Sequence, residues 1–432
     1  MKNAVTRGQP RGLAEIRSMV VGRPPHAVLL SGPGSVGKTT LALDLAAGLL
    51  CLDPDPTARP CRSCRGCRQL ASGNHPDLHR LAPEGPGGQI KIGDASRPDP
   101  GTARHLIGAL ALLPVEGGWR VAIVEQADRL NDDAQNALLK VLEEPPPGVT
   151  IILCADDEEC LLPTIRSRCA RVRLSAVGTR DIEDWLGSLG AADAPQAARL
   201  ARLSGGRPGL ALAYARSSTA ERLRAEIARG VVDMLSEPRQ VRLASVRAMM
   251  KSAAALEAAL TEARRGDDAR SPAADRGGSV ATRGRKPRAG SAAATAASAA
   301  ASAAAAAAAA ANGTGDNPEA DAQATDVSAS AGQAAKLGAS ERRAAAATLV
   351  RIWAGVARDL TVAAAGGLRQ LQEVALLDDL QAIAPAVVPA SLAAFMERLA
   401  AVDRQLGDNV NPELALDVLA LNWPRVESAG TR

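Results

Sequence analysis

The chain has 432 residues, with 51 Lys and Arg against 47 Asp and Glu, a formal net charge of +4, and only four Trp, one Tyr and one Phe. This length exceeds what one hydrophobic core serves, so we expect about two or three domains whose cores are filled mainly by aliphatic side chains. So few rings argue against base stacking on an aromatic platform, and the near balance of charge argues against a polyanion-binding surface over the whole chain.

The sequence contains no apolar run of about 18 residues, and its first residues, MKNAVTRGQPRG, lack the apolar core of a signal peptide. We therefore predict a cytoplasmic protein with no membrane segment. Seven Cys in a reducing compartment are not expected to form a disulfide framework. The four that cluster between positions 51 and 67 need another chemical role.

The first part of the chain alternates short apolar runs with amphipathic segments, which is typical of an α/β fold with a parallel sheet. The apolar runs predict strands at 27–31, 77–81, 120–125, 149–154 and 170–174. The amphipathic segments predict helices at 10–21, 38–50, 102–113, 132–143 and 161–168. Because proline cannot donate the next helical hydrogen bond, the run from Pro145 to Pro147 ends the fourth of these helices.

The remainder of the chain predicts helices and one low-complexity stretch. A small helical domain is predicted from segments at 179–189, 194–203, 208–215 and 219–235. A helical bundle is predicted from segments at 241–260, 341–365, 368–382, 391–407 and 412–421. Between its first two segments, 264–340 is rich in Ala and has no apolar face, so we predict a disordered insertion there.

A phosphate-binding loop is a highly specific motif in this chain. The segment from Gly32 to Thr39, GPGSVGKT, fits G-x-x-x-x-G-K-[ST] directly after a predicted strand and before a predicted helix. Glycines let the backbone N–H groups face phosphate, while Lys38 would reach the β- and γ-phosphates and Thr39 would bind Mg²⁺. We predict a site for ATP or ADP with Mg²⁺ formed by Gly32, Gly34, Gly37, Lys38, Thr39, Thr40 and Glu125. An inherited loop that stays empty is the alternative.

Hydrolysis needs acidic groups on a second strand as well as the loop. Glu125 ends the third predicted strand and could serve as the acid on the metal side. The next residue is Gln126, which cannot accept a proton, and Asp128 is interpreted as a cap of the following turn or helix. The sequence thus favours nucleotide binding, with weak or absent hydrolysis by this chain itself.

The clustered thiols have the spacing C-x9-C-x2-C-x2-C, which is typical of a closed tetrahedral Zn²⁺ site with a structural role. The predicted ligands are Cys51, Cys61, Cys64 and Cys67. An iron–sulfur cluster is the alternative, since thiolates alone do not select the metal. The interleaved arginines, which would offset the negative charge of four thiolates, are Arg59, Arg62, Arg65 and Arg68. The remaining cysteines, Cys154, Cys160 and Cys169, are predicted to be ordinary buried thiols.

Five segments together resemble bacterial clamp-loader subunits of DNA polymerase III, and within that group the delta prime kind: GPGSVGKTT, CRSCRGC, GNHPDL, LNDDAQNALLKVLEEPPPG and PTIRSRC. The resemblance extends over about residues 24–215. It implies an α/β P-loop AAA+ domain at 1–176 with a zinc module inserted at 51–67, followed by a helical lid at 177–236. It also implies an all-α collar, which forms a ring with sibling subunits, in two parts at 237–263 and 341–432.

The same resemblance assigns Arg168, within Ser167-Arg168-Cys169, as an arginine finger that acts on ATP bound by a neighbouring subunit. Gln126 stands where the motor subunits of the family have Glu. Arg207 lies near the place of a nucleotide-sensing arginine, although a helix-start turn explains it equally well. The implied partners are gamma/tau and delta subunits, with the sliding clamp and primed DNA contacted through the assembly. The implied function is support of ATP-dependent clamp loading.

Two other functions remain open. The chain could be an active ATPase similar to gamma/tau, with Glu125 holding Mg²⁺. It could also be a zinc-dependent DNA-binding regulator, although the sequence offers no recognition helix or half-site geometry for that role.

Overall fold

The computed structural model describes residues 3–83, 88–96, 99–116, 118–268, 337–407 and 410–426. All of these residues belong to one compact unit, which comprises 1–274 and 337–432. Most of the predicted Ala-rich insertion at 264–340 lies outside the described residues. The part of the chain that is described contains no single helix long and apolar enough to cross a bilayer, while one pair bent by 116°, Val374–Ala386 with Pro389–Leu406, meets the length and composition criteria.

A five-stranded parallel sheet forms the centre of the N-terminal half, in the order β2-β3-β4-β1-β5. The strands are β1 Ala27–Ser31, β2 Leu78–Leu81, β3 Arg120–Val124, β4 Val149–Ala155 and β5 Ala170–Arg173. Every residue of β1, β3 and β4 is buried, as expected for strands covered on both faces. The predicted α/β fold with a parallel sheet is therefore confirmed.

Helices cover both faces of this sheet. They are α1 Pro10–Val21, α2 Lys38–Leu49, α3 Arg65–Ala71, α4 Ala103–Leu110, α5 Asp132–Glu143 and α6 Pro163–Arg166. Alternate residues of β1 enter different cores: Val28 packs with side chains of α1 and α2, and Leu29 packs with side chains of α4, α5 and α6. Helix α5 has the predicted bounds because Asn131 Oδ1 accepts from Ala134 N–H at 3.0 Å at its start, and Pro145 follows its end.

The rest of the described chain is helical, as predicted. Its helices are α7 Thr179–Ser188, α8 Ala194–Leu203, α9 Pro208–Arg216, α10 Ser218–Asp233, α11 Arg239–Asp268, α12 Ala339–Ala364, α13 Leu377–Ile383, α14 Pro389–Gly407 and α15 Pro412–Asn422. Three of the few aromatic side chains meet in the last bundle, where the ring centroids of Trp353, Phe395 and Trp423 are 4.6–5.6 Å apart. Three of the six aromatic residues of the chain therefore pack against one another in this bundle.

The prediction of one helix at 368–382 is wrong. Two short 3₁₀ turns, Leu368–Gln370 and Val374–Leu376, precede α13 instead. The buried carboxylate of Asp359 accepts hydrogen bonds from the backbone N–H groups of Gln372 at 2.9 Å and Glu373 at 2.7 Å. Because those amides bind a side chain on α12, they are not available for helical hydrogen bonds.

A buried ion pair joins α10 to this broken segment. The Arg224 guanidinium contacts the Glu373 carboxylate, and both side chains are almost fully buried. Burial lowers the pKa of Arg224, but the negative charge of Glu373 outweighs that effect and leaves it raised. Helix α10 and the segment between α12 and α13 thus share a charged contact from which water is largely excluded.

Candidate functional site

The phosphate-binding loop connects β1 to α2 and has the backbone conformation that its glycines allow. Gly32 has φ +147° and Gly37 has φ +109°, and Ser35 between them has φ +62°. A Cβ at Gly32 would lie 2.3 Å from the carbonyl oxygen of Leu174, so no larger residue fits there. Thr39 and Thr40 occupy the first turn of α2, where the N-terminal amides point toward the loop.

Lys38 is buried within this loop and uses all three of its N–H donors. Its Nζ donates to the carbonyl oxygens of Gly32 at 2.7 Å and Pro33 at 2.8 Å. The third contact is an ion pair with Asp156 Oδ1 at 2.6 Å. An ammonium group has only three donors, so a phosphate oxygen bound by Lys38 would have to replace one of these partners.

Asp156 is a site residue that the sequence analysis missed. It is the first residue after β4, and β4 pairs in parallel with β1, so the carboxyl ends of the two strands lie side by side. Its backbone N–H donates to Asp128 Oδ1 at 2.9 Å. No motif marks Asp156 in the sequence. A general rule could have pointed to it, because ligands of open parallel sheets bind outside the carboxyl ends of the strands.

Asp128 was interpreted as a cap of the following turn or helix, but the residue that caps α5 is Asn131. Asp128 lies instead in the 3₁₀ turn Ala127–Arg129 and faces the residue after β4. Burial raises the pKa of the Asp128 carboxyl; the Asp156 N–H partly offsets that rise and the Asp156 charge adds to it. Two carboxylates are thus close together beside the phosphate loop.

Glu125, the predicted acid on the metal side, is ion-paired with the neighbouring strand. Its Oε1 accepts from Arg80 Nε at 2.9 Å and lies 2.7 Å from a terminal nitrogen of the same guanidinium. Gln126 follows with φ +49° and ψ +55°, which is a left-handed conformation that turns the chain away from β3. In this arrangement, Glu125 would have to leave Arg80 before it could bind a metal ion.

The helical part of the chain contacts the phosphate loop at two points. Gly209, in the first turn of α9, donates from its backbone N–H to the Ser35 carbonyl at 3.0 Å, and Arg264 on α11 donates to Ser35 Oγ at 3.4 Å. Arg207 immediately precedes α9, and its Nε donates to the Ser204 carbonyl at 2.8 Å. Burial lowers the pKa of Arg207, and nearby guanidinium groups add to the effect.

The four clustered thiols form a second candidate site. Cys51 follows α2, Cys61 and Cys64 precede α3, and Cys67 lies within α3. All four Sγ atoms lie within 4.8 Å of one another, and those of Cys51 and Cys64 are 3.9 Å apart. Four sulfurs at about 2.3 Å from one tetrahedral ion would be about 3.8 Å apart. The donor set therefore fits a single metal ion.

Backbone amides support this donor set. Cys64 Sγ accepts from Leu52 N–H at 3.5 Å and Cys67 N–H at 3.4 Å, and Cys51 Sγ accepts from Cys61 N–H at 3.4 Å. Burial raises the pKa of the Cys51 and Cys67 thiols. Burial also acts on Cys61, but hydrogen bonds from Ser63 outweigh it and lower the pKa of that thiol to about 6. N–H donors to sulfur stabilise thiolates in metal sites.

The interleaved arginines bind other groups rather than the thiols. Arg62 pairs with Asp44 on α2, and Arg65 pairs with Glu116 at 3.0 Å. Arg59 donates to the Asp53 carbonyl at 2.7 Å, and Arg68 donates to the Ser63 carbonyl at 2.8 Å. These contacts fix the loops of the module to one another and to the α/β domain.

The three remaining cysteines differ from one another. Burial raises the pKa of Cys154 to about 12 and that of the half-buried Cys169 to about 11. Cys160 is exposed, so the prediction of a buried thiol is wrong there. It lies in the 3₁₀ turn Glu158–Cys160 at the surface that follows β4, which the apolar run of the strand does not reach.

Arg168 lies between α6 and β5 at one edge of the sheet. Its guanidinium donates to the Thr164 carbonyl at 2.9 Å and to Glu143 Oε1 at 2.8 Å, and both charged side chains are partly exposed. Val28 of β1 pairs with Ala170 of β5, so Arg168 lies at the amino ends of the strands and the phosphate loop lies at their carboxyl ends. At about 3.3 Å per residue, more than about 10 Å separates Arg168 from its own phosphate loop.

Comparison with known proteins gives consistent matches to this half of the chain. Residues 11–178 match a family model described as "DNA polymerase III, delta subunit". DNA polymerase III subunit delta' of Pseudomonas aeruginosa is 36% identical over 214 residues, which cover 49% of this chain and 62% of that protein. The corresponding subunit of Bacillus subtilis is 35% identical over 41% of this chain and 51% of its own length.

Proteins named for the tau and gamma subunits also match. DNA polymerase III subunit tau of Escherichia coli is 37% identical over 38% of this chain but only 24% of the relative. A solved gamma subunit-related protein of Thermotoga maritima aligns at 16% identity over 96% of this chain and 100% of its own, with a TM-score of 0.35. The chain spans between half and two thirds of the delta' relatives described above. Over residues 11–178, the chain is therefore similar to the DNA polymerase III delta' proteins.

Proposed function

We propose that the chain is a delta prime-like subunit of the replicative DNA polymerase III clamp loader in the cytoplasm. In this role it assembles with gamma/tau and delta subunits and supports ATP-dependent loading of the sliding clamp onto primed DNA. The helical lid at 177–236 and the two-part collar are proposed to carry the contacts with sibling subunits. The observation that carries the proposal is the position of Arg168, which lies at the opposite end of the sheet from the chain's own phosphate loop, in a region similar to delta prime proteins.

Arg168 would act on ATP bound by the neighbouring subunit. A guanidinium is permanently charged and forked, which suits it to stabilise the charge that develops on a transferred phosphoryl group. Its present partner, Glu143, is half exposed, and ion pairs at such positions contribute only about 0–1 kcal/mol. Exchange of that carboxylate for a phosphate oxygen would therefore cost little.

The chain's own loop is proposed to bind ATP or ADP with Mg²⁺ through Gly32, Gly34, Gly37, Lys38, Thr39 and Thr40. Hydrolysis at this loop would be weak, because Gln126 cannot accept a proton and Glu125 is held by Arg80. The thiols of Cys51, Cys61, Cys64 and Cys67 are proposed to hold a structural Zn²⁺, which would fix the module in place and leave no open coordination position.

Reconstituted clamp loading tests this proposal. Purified gamma/tau and delta subunits from the same source would be mixed with clamp, primed DNA and ATP, with or without this chain. We expect loaded clamp to accumulate only when the chain is present. Equal loading without the chain would contradict the proposed role.

The second candidate is an active ATPase similar to gamma/tau, which the complete phosphate loop favours. A purified chain with steady turnover of ATP would support this candidate. Turnover that is absent in the natural chain and that appears in Gln126→Glu would instead support the non-motor role and identify the missing base.

A further inference from the structure

The carboxylate of Asp156 occupies the position beside Lys38 that a nucleotide phosphate needs. Its Oδ1 lies 2.6 Å from Lys38 Nζ, and its Oδ2 would lie 2.8 Å from a Cβ placed on Gly34. The carboxylate thus contacts the loop at both its lysine and its middle glycine. Lysines of such loops bind the β- and γ-phosphates, so the carboxylate and these phosphates compete for one ammonium group.

The backbone of Asp156 is fixed by contacts with neighbouring elements. Its backbone N–H is bound to Asp128 Oδ1 at 2.9 Å, and its chain position is fixed by the parallel pairing of β4 with β1. Lys38 is buried and the Asp156 side chain is 47% exposed, so water screens this contact from the carboxylate side alone. Asp156, which competes with phosphate for Lys38, is therefore placed by the end of β4.

We propose that Asp156 is a specificity-determining residue that weakens nucleotide binding at this loop and disfavours ATP more than ADP. A β-phosphate can be held by the loop N–H groups even while Lys38 stays paired with Asp156. A γ-phosphate needs Lys38 and would also lie beside the charges of Asp156 and Asp128. The inference rests on the proposed nucleotide binding and adds which nucleotide the loop prefers.

The matched pair of variants Asp156→Asn and Asp157→Asn tests this inference on the full chain. Asp157 is the next residue and is exposed like Asp156, and its Oδ1 accepts from Glu159 N–H at 2.9 Å, a bond that Asn preserves. The two variants change net charge equally at adjacent positions, but only one of them removes the competitor of Lys38. Binding of ATP with Mg²⁺ and of ADP with Mg²⁺ would be measured by titration calorimetry.

We expect Asp156→Asn to tighten ATP binding on the order of tenfold and ADP binding by less, with Asp157→Asn unchanged. Natural and Asp156→Asn chains that bind ATP and ADP with unchanged affinities would overturn the inference and leave the nucleotide site intact. Equal tightening in both variants would also overturn it, since a general charge effect would then explain the change. If neither nucleotide binds either chain while the fold persists, both the inference and the proposed nucleotide site fail.

Discussion

Asp44 offers a sharp test of how the thiol module and the N-terminal segment are attached to the α/β domain. Its carboxylate is almost fully buried on α2 and accepts from Val5 N–H at 3.0 Å, Thr6 N–H at 2.8 Å and Thr6 Oγ at 2.7 Å. It also pairs with Arg62 of the module. One carboxylate thus joins the segment before α1, the helix after the phosphate loop and the thiol module.

We expect Asp44→Asn to lower the free energy of local opening at this junction by about 3 kcal/mol. Donors face both carboxylate oxygens, so either orientation of an amide would place its NH₂ group against a donor. Removal of one partner from a buried ion pair costs about 3–5 kcal/mol, and the partial exposure of Arg62 places the expected cost at the lower end.

Hydrogen exchange at the amides of Val5 and Thr6 measures this change directly. A loss of about 3 kcal/mol corresponds to protection that falls by about 100-fold. The control is Asp53→Asn in the same module, because the side chain of Asp53 accepts a local bond from Asp55 N–H at 3.0 Å, and its substitution should leave the Val5 and Thr6 amides unchanged. Protection in Asp44→Asn that stays within threefold of the natural chain would refute this account of the junction.

Three further predictions follow from buried charges and from the thiols. Cys64→Ser should remove the metal from the purified chain and Cys160→Ser should retain it, as measured by elemental analysis; equal metal content would contradict a four-thiol site. Burial opposes ionisation of Asp77, but hydrogen bonds outweigh it and lower its pKa, so its contribution to stability is full above about pH 4 and is lost as pH falls through the folded pKa. Acid titration of unfolding free energy should therefore be flatter in Asp77→Asn, and parallel curves would contradict this. Glu373→Gln should cost about 3–5 kcal/mol in chemical denaturation, whereas Asp379→Asn, which breaks a more exposed pair, should cost under about 1 kcal/mol; equal costs would contradict the role of burial.

Much of the α/β domain could be predicted because its signals are local. The apolar run of β1 and the cap and proline that bound α5 lie within a few residues of the elements they define. Helix α3 was missed because its seven residues include two Arg and one Gly but few apolar side chains, and its N-cap acceptor is the sulfur of Cys64. The break after α12 was missed because its cause is the carboxylate of Asp359, 13 and 14 residues before the amides it binds.

The candidate sites also combine residues that local motifs identify with contacts between distant parts of the chain. The phosphate loop and the thiol spacing are continuous motifs, so their residues could be named from the sequence. The contact of Lys38 with Asp156 depends on the pairing of β1 with β4, two strands more than 100 residues apart, which no local pattern specifies. The arginines of the thiol module were assigned to the metal charge, but their partners, such as Asp44 for Arg62, also come from distant parts of the chain.

The most direct test of the proposed role is ATP hydrolysis by a reconstituted ring that contains either Arg168→Ala or Arg171→Ala in this chain. Arg171 is the matched control, since it is an exposed arginine on β5 at the same edge of the sheet. The account predicts that clamp- and DNA-stimulated hydrolysis by the neighbouring subunit falls by about 10³-fold in Arg168→Ala and stays unchanged in Arg171→Ala. Stimulated hydrolysis that is undiminished in Arg168→Ala, in a ring that assembles normally, would contradict the central claim.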